Sequence, residues 1–480
     1  MTRLRLLLAI VFFFSSLSTP VAQSDNLGPC RIKASEVRQK LSLGFPVGPE
    51  RLANLSAPKI LVVPFQLQDT PNYSFSAELK QRYERATDYI NEFSNGKSKP
   101  QFVFSPVIKT EITKNDIENL RDNQNIGNQT RNESISTWGF IRSFVSKYDS
   151  NLDFTEIDGV ILQGSASRGG IAEAMTYLRN YDPYWRPLKT NEGEVLNAVL
   201  MDSAHDSATI AHEVMHLYGL TDLYGTNTGP GPLSLMSSNA LNLLSYEKWI
   251  LGWLPDSDVI CLANVAESSI TKFSFDYTKI NQIAIIRAGS NETFIAETTK
   301  VRDTRFLTFY SIDNEARPPI TVFQDGSRPQ FGGEVIGDYN AIGTQFEAPN
   351  FTLLVSDLNS TSISLNLVPK SLSASAEFKS LIDSSNAAKN AAQLKARKEV
   401  EARDAEELKA KQETEVKAAA ELKAKQEAEV KAAAELKAKQ EAGAKAVANK
   451  KTTITCIKGK LIKKVTAIKP KCPSGYTVKK

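Results

Sequence analysis

Histidine is scarce in this chain, with three imidazoles in 480 residues, at positions 205, 212 and 216. This scarcity excludes a histidine-dependent site outside one window of twelve residues. An excess of charge of either sign is also lacking, because 58 basic and 54 acidic residues leave a net charge of +4. The balance points to no particular partner, and a hydrophobic content of 41% is enough for a large buried core.

Long hydrophobic runs are lacking after the first residues of the chain. Arg3 and Arg5 precede the apolar run Leu6 to Phe14, and the small-residue stretch "STPVAQ" follows it. This pattern predicts a secretory signal peptide over residues 1–22, cut near Ala22. No later segment offers the roughly 18 apolar residues that a membrane span requires. We therefore expect the mature chain to be soluble and secreted from the cell.

Cysteine is limited to four residues, which have three formal pairings in the oxidising compartment that export implies. Proximity favours a disulfide between Cys456 and Cys472 and leaves Cys30 to pair with Cys261. In the alternative, Cys30 stays free and covers a metal ion as a thiolate in a latent form. The disulfide between Cys30 and Cys261 is favoured over a free Cys30, because an oxidising compartment and the availability of Cys261 are enough for it to form.

Two globular regions with different patterns follow an N-terminal segment at 23–57. Residues 58–260 mix buried strands, such as "KILVVPFQLQD", with the helical pattern "SAELKQRYERATDYINEFSNG", which indicates an α/β arrangement. Residues 261–369 contain short runs rich in Thr, Ile and Phe between turn residues, which indicates a β-sandwich-like domain.

Glycine and proline are absent between Pro369 and Gly443, where near-identical units such as "ELKAKQEAEVKAAA" repeat every fourteen residues. The strong helix formers in these units predict a long helical stalk within 370–450, extending roughly 95 Å from Asn386 to Ala448 at 1.5 Å per residue. The period equals two heptads, as in a coiled coil. Polar residues fall on the same side of the helix as the repeat leucines, which favours a single solvated helix instead.

The last segment, 451–480, carries eight lysines from Thr453 onward and no acidic residue. Its alternating Ile, Leu and Val predict a small hairpin closed by the disulfide. This module is expected to hold the protein at an anionic cell-wall or membrane surface, and no nucleic acid partner is expected for an exported chain. The alternative is a solvated tail that only keeps the protein soluble.

The histidine window predicts a metal-binding helix. Ile210, Val214 and Leu217 recur at helical spacing, and His212 and His216 are four residues apart on one side. A catalytic zinc needs three protein ligands and an open position for water. Gly219 can end the helix in a left-handed conformation, so that Asp222 returns as the third ligand. If Asp222 is not a ligand, Glu247 is the next candidate.

The sequence "HEVMHLYGLTDLY" resembles the extended HExxHxxGxxH/D signature of metzincin zinc endopeptidases, and its ending is similar to the immune inhibitor A group, peptidase family M6. The likeness covers roughly residues 43–255 and includes "GPLSLMSSN" and "LSYEKWILGWL". It implies an α/β (α+β) metzincin-like zinc peptidase domain. It also implies zinc ligands at His212, His216 and Asp222, Glu213 as the catalytic base, and Met236 in the Met-turn beneath the metal.

One departure from the pattern concerns the group that stabilises the oxyanion. Many metzincins carry a Tyr two residues after the Met-turn Met, whereas this chain has Ser238. Three tyrosines remain as candidates: Tyr218, Tyr224 and Tyr246. The remaining imidazole, His205, is expected to have a structural role in the turn before the zinc helix, with Asp206 or Ser207 as its cap.

These patterns predict a secreted zinc-dependent endopeptidase with one catalytic Zn²⁺, in which Glu213 accepts a proton from water and passes it to the leaving amine. Its substrate is a protein or peptide. Two alternatives are a surface-attached, catalytically inactive peptidase-like protein and a zinc hydrolase acting on another carbonyl. A structural Ca²⁺ is compatible with the composition, but no residues can be assigned to it.

Overall fold

A computed structural model describes the greater part of the chain outside its first 26 residues. The described residues are 27–34, 43–70, 73–125, 136–165, 171–179, 186–225, 229–238, 241–263, 268–279, 281–287, 293–301, 304–316, 319–323, 333–336 and 341–480. The signal peptide predicted at 1–22 lies outside them. The chain divides into two compact units, Met1–Ala392 and Gln393–Lys480.

The first region of unit one is a mixed α/β sheet with the strand order β2-β1-β4-β8-β5 and with β3 beside β1. All neighbours in this sheet pair in parallel except β5, which is antiparallel to β8. The strands of this region, including the small pair β6 and β7, are β1 (Lys59–Gln66), β2 (Gln101–Phe104), β3 (Ile108–Lys109), β4 (Gly159–Gly164), β5 (Ala172–Thr176), β6 (Leu188–Lys189), β7 (Glu194–Val195) and β8 (Asn197–Asp202).

Helices cover both faces of this sheet, which explains why its central strands read as continuous apolar runs. The helices are α1 (Ala77–Phe93), α2 (Lys114–Asn125), α3 (Thr137–Tyr148), α4 (Ser207–Tyr218), α5 (Leu235–Ser238) and α6 (Ser245–Ile250). Ile60 and Val62 of β1 pack in a core with α1 and α4. Leu61 and Val63 point the other way, into a core with α3. The strands and the helix predicted from the sequence are present in this region.

The second region of unit one consists of two β-sheets that share one apolar core. One sheet has the order β14-β13-β12-β11-β9 with β15 beside β13, and the other has the order β10-β18-β17-β16. The strands are β9 (Val259–Leu262), β10 (Thr271–Asp276), β11 (Gln282–Arg287), β12 (Thr293–Val301), β13 (Thr304–Ile312), β14 (Ile320–Val322), β15 (Gly333–Ile336), β16 (Gln345–Glu347), β17 (Phe351–Leu358) and β18 (Ser362–Pro369).

The N-terminal segment is tied to both regions. Cys30 forms a disulfide with Cys261 of β9, as the sequence predicts. The carbonyl of Leu43 accepts a hydrogen bond from the hydroxyl of Tyr246, and Phe45 packs edge-on against Trp249 at 4.6 Å between ring centroids. Because no described cysteine is free, the thiolate alternative for Cys30 is wrong in this structure.

The long helix α7 spans Ala376–Ala448 and begins ten residues before the start predicted at Asn386. Its first turn is capped, because Ser375 Oγ accepts a hydrogen bond from the backbone N–H of Phe378. Phe378 then packs against Leu354 and Val368 of the β-rich region. The predicted helix was too short because its start was inferred from helix-forming composition, whereas the first turn of α7 is stabilised by packing against the β-rich region.

Unit two contains the repeats of α7 and a small three-stranded sheet with the order β20-β19-β21. Its strands are β19 (Thr452–Lys458), β20 (Leu461–Ala467) and β21 (Thr477–Val478), and the predicted disulfide between Cys456 and Cys472 is present. The repeat leucines of α7 are exposed in the single chain. None of the described helices combines the length and apolar character that crossing a membrane needs.

Candidate metal centre

Helix α4 carries the histidine motif. A side-chain cap, Asp206, starts it, and a left-handed glycine, Gly219, ends it. At its start, Asp206 accepts a hydrogen bond from the N–H of Thr209 at 2.9 Å. At its end, Gly219 has a φ of 114°, and its N–H donates to the carbonyl of His216 at 3.0 Å. This left-handed residue reverses the chain, as the sequence predicts, and brings Asp222 back towards the helix.

A group of three side chains converges at this reversal. Asp222 Oδ1 lies 3.1 Å from His212 Nε2 and 3.2 Å from His216 Nε2. The three atoms lie within 4.8 Å of one another, and both imidazoles are buried. The structure brings Asp222 to the two imidazoles, whereas Glu247 is fully buried elsewhere.

The other nitrogen of each imidazole contacts a backbone carbonyl. His212 Nδ1 lies 3.0 Å from the oxygen of Leu235, and His216 Nδ1 lies 2.9 Å from that of Leu220. Because a carbonyl oxygen only accepts, each Nδ1 carries a proton and each neutral Nε2 has a lone pair facing Asp222. Such carbonyl partners orient metal-ligating histidines in other proteins.

This set of atoms fits a metal ion. Two Nε2 lone pairs and a carboxylate oxygen are acceptors without a donor between them, and a cation stabilises such a group. With metal–ligand distances of about 2.0–2.1 Å, the ligand atoms of tetrahedral zinc are roughly 3.3 Å apart. The distances of 3.1 and 3.2 Å from Asp222 Oδ1 agree with that spacing.

The charges at this group favour a cation. Burial raises the pKa of Asp222, but the adjacent imidazoles of His212 and His216 outweigh it and hold that pKa well below its usual value. Burial lowers the pKa of His216, but Asp222 and Glu213 raise it above its usual value overall. Both directions indicate a site that attracts positive charge.

Glu213 lies beside the group and is itself buried. Burial raises the pKa of its carboxyl, opposed by the nearby imidazoles of His216 and His212. Its side-chain carboxylate makes no hydrogen bond within the described part of the chain. A carboxylate with a raised pKa and no fixed partner is suited to accept and return a proton.

The loop that carries Asp222 is held by the segment containing Met236. The N–H of Leu223 donates to the carbonyl of Met236 at 2.8 Å, and Ser237 Oγ donates to the carbonyl of Leu223 at 3.3 Å. Met236 is fully buried in the same core as α4. Since Leu223 lies between Asp222 and Tyr224, these two hydrogen bonds fix both side chains beside α4.

The structure distinguishes the three tyrosine candidates. Tyr218 is buried and its hydroxyl lies 2.6 Å from Ser98 Oγ, while the buried Tyr246 donates to Leu43. Tyr224 is 55% exposed, and its ring stacks on His212 with 6.1 Å between centroids. Burial and the carboxylate of Asp222 raise the pKa of Tyr224 to about 12, so its phenol stays protonated.

Arg51 is part of this centre and was missed by the sequence analysis. Its Nη1 donates to the carbonyl of His216 at 2.9 Å and to Thr176 Oγ1 of β5 at 2.8 Å. Burial lowers the pKa of Arg51 to about 10, so the guanidinium remains charged at neutral pH. A cation at the last turn of α4 also interacts favourably with the helix dipole.

Two buried carboxylates support the segment that contains Met236. One is Glu247, which the sequence offered only as an alternative metal ligand, and the other, Glu297, was not predicted. Glu247 Oε2 accepts from Ser234 Oγ at 2.9 Å and from the N–H of Leu244 at 2.8 Å. Glu297 of β12 accepts from the N–H of Ser245 at 3.1 Å. The β-rich region therefore contributes a carboxylate that anchors the start of α6, directly after the Met236 segment.

His205 lies in the turn before α4, where the sequence places it. The Nε2 of His205 is 3.0 Å from the carbonyl oxygen of Ile171, and Arg82 Nη1 donates to the carbonyl of His205 at 2.9 Å. It is not part of the group formed by the other two histidines and Asp222. These contacts join the turn to the start of β5 and to α1.

No protein-family model matches the chain, and neither does any curated protein. Among solved structures, metalloproteinase-II from Bacteroides fragilis is similar to 42% of this chain, with 16% sequence identity and a TM-score of 0.23. The match spans about half of that protein, 53% of its length. A likeness of this size carries no functional argument, and the function proposed next depends on the geometry of the site.

Proposed function

We propose that the protein is a secreted zinc-dependent endopeptidase of metzincin-like fold, in which His212, His216 and Asp222 hold the metal. The observation that carries the proposal is the convergence of two Nε2 lone pairs and one carboxylate oxygen, with both Nδ1 atoms held by backbone carbonyls. Three protein ligands with an open fourth position are the arrangement of catalytic zinc sites.

Glu213 is the general base in this proposal. Zinc, when bound, supplies a water of lowered pKa and polarises the scissile carbonyl. The carboxylate of Glu213 accepts the proton of that water and returns it to the departing amine. Its burial and raised pKa support both steps, because a base with a pKa nearer neutrality exchanges protons efficiently in both directions.

Tyr224 is the donor to the oxyanion in this proposal. It is the one tyrosine of the three candidates that is exposed at the site, and it is stacked on His212. The raised pKa of Tyr224 keeps the hydroxyl protonated and able to donate. A donor positioned in advance stabilises charge that develops in the transition state.

The substrate is a peptide in extended conformation that lies along β5. Among the described strands, β5 pairs only with β8 and lies at the edge of the sheet, so a substrate strand can be added at its other side. Arg51 Nη1 donates both to Thr176 of β5 and to the carbonyl of His216, so this strand lies beside α4 and the candidate metal centre. Strand addition at an open edge suits a peptidase because backbone hydrogen bonds do not depend on the side chains of the substrate.

The test combines metal content with proteolysis. We expect the purified protein to contain about one zinc per chain, to cleave casein, and to lose this activity with a chelator and regain it with added zinc. Zinc binding without cleavage of casein or of a peptide library supports the inactive peptidase-like alternative. A chain that takes up no zinc contradicts both readings.

A further inference from the structure

The small sheet of unit two ends in a tight hairpin with two exposed aliphatic side chains. Gly459 and Lys460 connect β19 to β20, and Gly459 has a φ of 56°, which places glycine at the first turn position as type II′ hairpins do. Leu461 and Ile462 follow directly and are each 63% exposed. Leu461 is opposite Lys458, and Ile462 is opposite Ile457. Because successive side chains of a strand point to opposite faces, Leu461 and Ile462 lie on opposite faces of the hairpin.

Lysines surround this aliphatic pair. Lys458, Lys460, Lys463 and Lys464 all lie within four residues of it, and residues 449–480 contain ten lysines and no acidic residue. The positive charge near the tip therefore has no acidic partner within its own sheet. An anionic surface is the complement of this end of the hairpin.

A core of its own does not account for the aliphatic side chains. In residues 449–480, all of which are described, Cys456 alone is buried. The disulfide from Cys456 to Cys472 therefore holds the sheet together, as in other small scaffolds that lack a core. Leu461 and Ile462 are left in water beside charged residues, at an unfavourable hydration free energy.

We propose that this hairpin tip, Lys458 to Lys464, inserts into the interface of an anionic phospholipid bilayer. Leu461 and Ile462 enter the boundary between headgroups and acyl chains, and the four lysines contact lipid phosphates while their alkyl stems extend along the apolar layer. Weak insertion combined with a basic cluster gives the two signals that stable membrane attachment requires. A soluble polyanion would use the lysines and would gain nothing from two exposed aliphatic residues.

The experiment measures co-sedimentation of the full chain with vesicles of phosphatidylglycerol and phosphatidylcholine, and with vesicles of phosphatidylcholine alone. We expect binding to the anionic vesicles only. The double variant L461S/I462S, which keeps every lysine, should lose at least about tenfold in vesicle affinity because two aliphatic side chains no longer leave water. Leu461→Trp should bind more tightly, because tryptophan favours the membrane interface.

The matched control is the double variant L422S/L436S, which removes two leucines of α7 in the same unit that are equally exposed, at 60% each. It should bind vesicles like the parent. Peptide mapping under non-reducing conditions checks that each variant keeps the disulfide from Cys456 to Cys472. Parent-like binding by L461S/I462S, or a parent chain bound by soluble polyphosphate and not by vesicles, overturns the proposal in favour of a purely electrostatic site. These measurements do not depend on peptidase activity.

Discussion

The guanidinium of Arg51 donates to the carbonyl of His216 at 2.9 Å, from a position 165 residues earlier in the chain. The same Nη1 donates to Thr176, so one buried cation joins the last turn of α4 to the edge strand β5. The proposed metal ligand and the proposed substrate strand therefore keep a fixed relation to each other through a residue that contacts neither metal nor substrate.

Replacing Arg51 by Met should destabilise the fold. The substitution removes the charged donor to the buried carbonyl of His216, which keeps the N–H of Gly219, and the donor to the buried hydroxyl of Thr176. We expect it to lower the free energy of unfolding by about 2–4 kcal/mol. Urea unfolding measures the change. Arg85→Met is the matched control, because Arg85 is exposed on α1, and its stability should stay close to that of the parent. Equal stability of both variants contradicts an anchoring role for Arg51.

Glu213→Gln should remove proteolysis and leave the metal in place. The amide cannot accept the proton, so the rate of casein cleavage should fall by about 10²–10⁴-fold, the usual contribution of a general base. Zinc content by atomic absorption should match the parent. Glu78→Gln, an exposed carboxylate in the first turn of α1, serves as the control and should retain full activity. Full activity in Glu213→Gln excludes it as the base.

Asp222→Ala should weaken zinc retention and activity together. The change removes one of the three proposed ligand atoms, and a bound metal stabilises the folded state by an amount that grows with its affinity. Thermal unfolding with and without added zinc measures the effect. The parent should gain stability with zinc, and the variant should gain much less. A variant that retains zinc as tightly as the parent shows that the third ligand lies elsewhere.

Tyr224→Phe should lower kcat and spare zinc. Loss of one oxyanion donor costs about 10²–10³-fold in kcat in other hydrolases, and we expect a reduction of that order. Tyr218→Phe is the contrasting variant, since Tyr218 contacts Ser98 in the core. It should lose stability and keep its kcat. If both variants keep the parent kcat, the oxyanion is stabilised by another group.

Glu247 should make the stability depend on pH. Burial raises the pKa of Glu247 from 4.5 to about 7, against hydrogen bonds from Leu244 and Ser234 that lower it. The contribution of the protonated Glu247 to the free energy of unfolding is therefore complete below pH 4.5 and is lost as the pH rises through about 7. The side chain of Glu247→Gln cannot ionise. When the pH is raised from about 5 to about 8, the free energy of unfolding of this variant should therefore fall by roughly 2–3 kcal/mol less than that of the parent. Urea unfolding at both pH values measures this, and equal losses contradict the assignment.

The positions of His212, His216 and Asp222 could be predicted because eleven residues contain all three and local rules place them. Helical spacing sets the two histidines, and a left-handed Gly219 returns the chain. The choice among the three tyrosines could not be predicted in the same way. It depends on which side of each segment packs in the core, and that is decided by contacts with Ser98 and Leu43 far away in the sequence.

The supporting residues were beyond the reach of sequence patterns. Arg51 follows a Pro-Glu dipeptide in a segment without periodicity, and nothing local distinguishes it from an exposed arginine. Glu297 belongs to a strand that is buried from Thr293 to Thr299, and it is separated by 52 residues from Ser245, whose N–H it binds. Burial of a charged side chain is a property of the assembled regions, so no single segment encodes it.

The disulfide from Cys30 to Cys261 encloses the sheet, the histidine helix and the Met236 segment within one covalent ring, across a separation of 231 residues. A single proteolytic cut anywhere inside that ring leaves both fragments joined. Self-digestion at one position would therefore be invisible by mass under oxidising conditions, apart from one added water, and would show two bands only after reduction. If the proposed peptidase activity extends to copies of the chain itself, this ring keeps the strands that support the candidate metal centre attached after one cut.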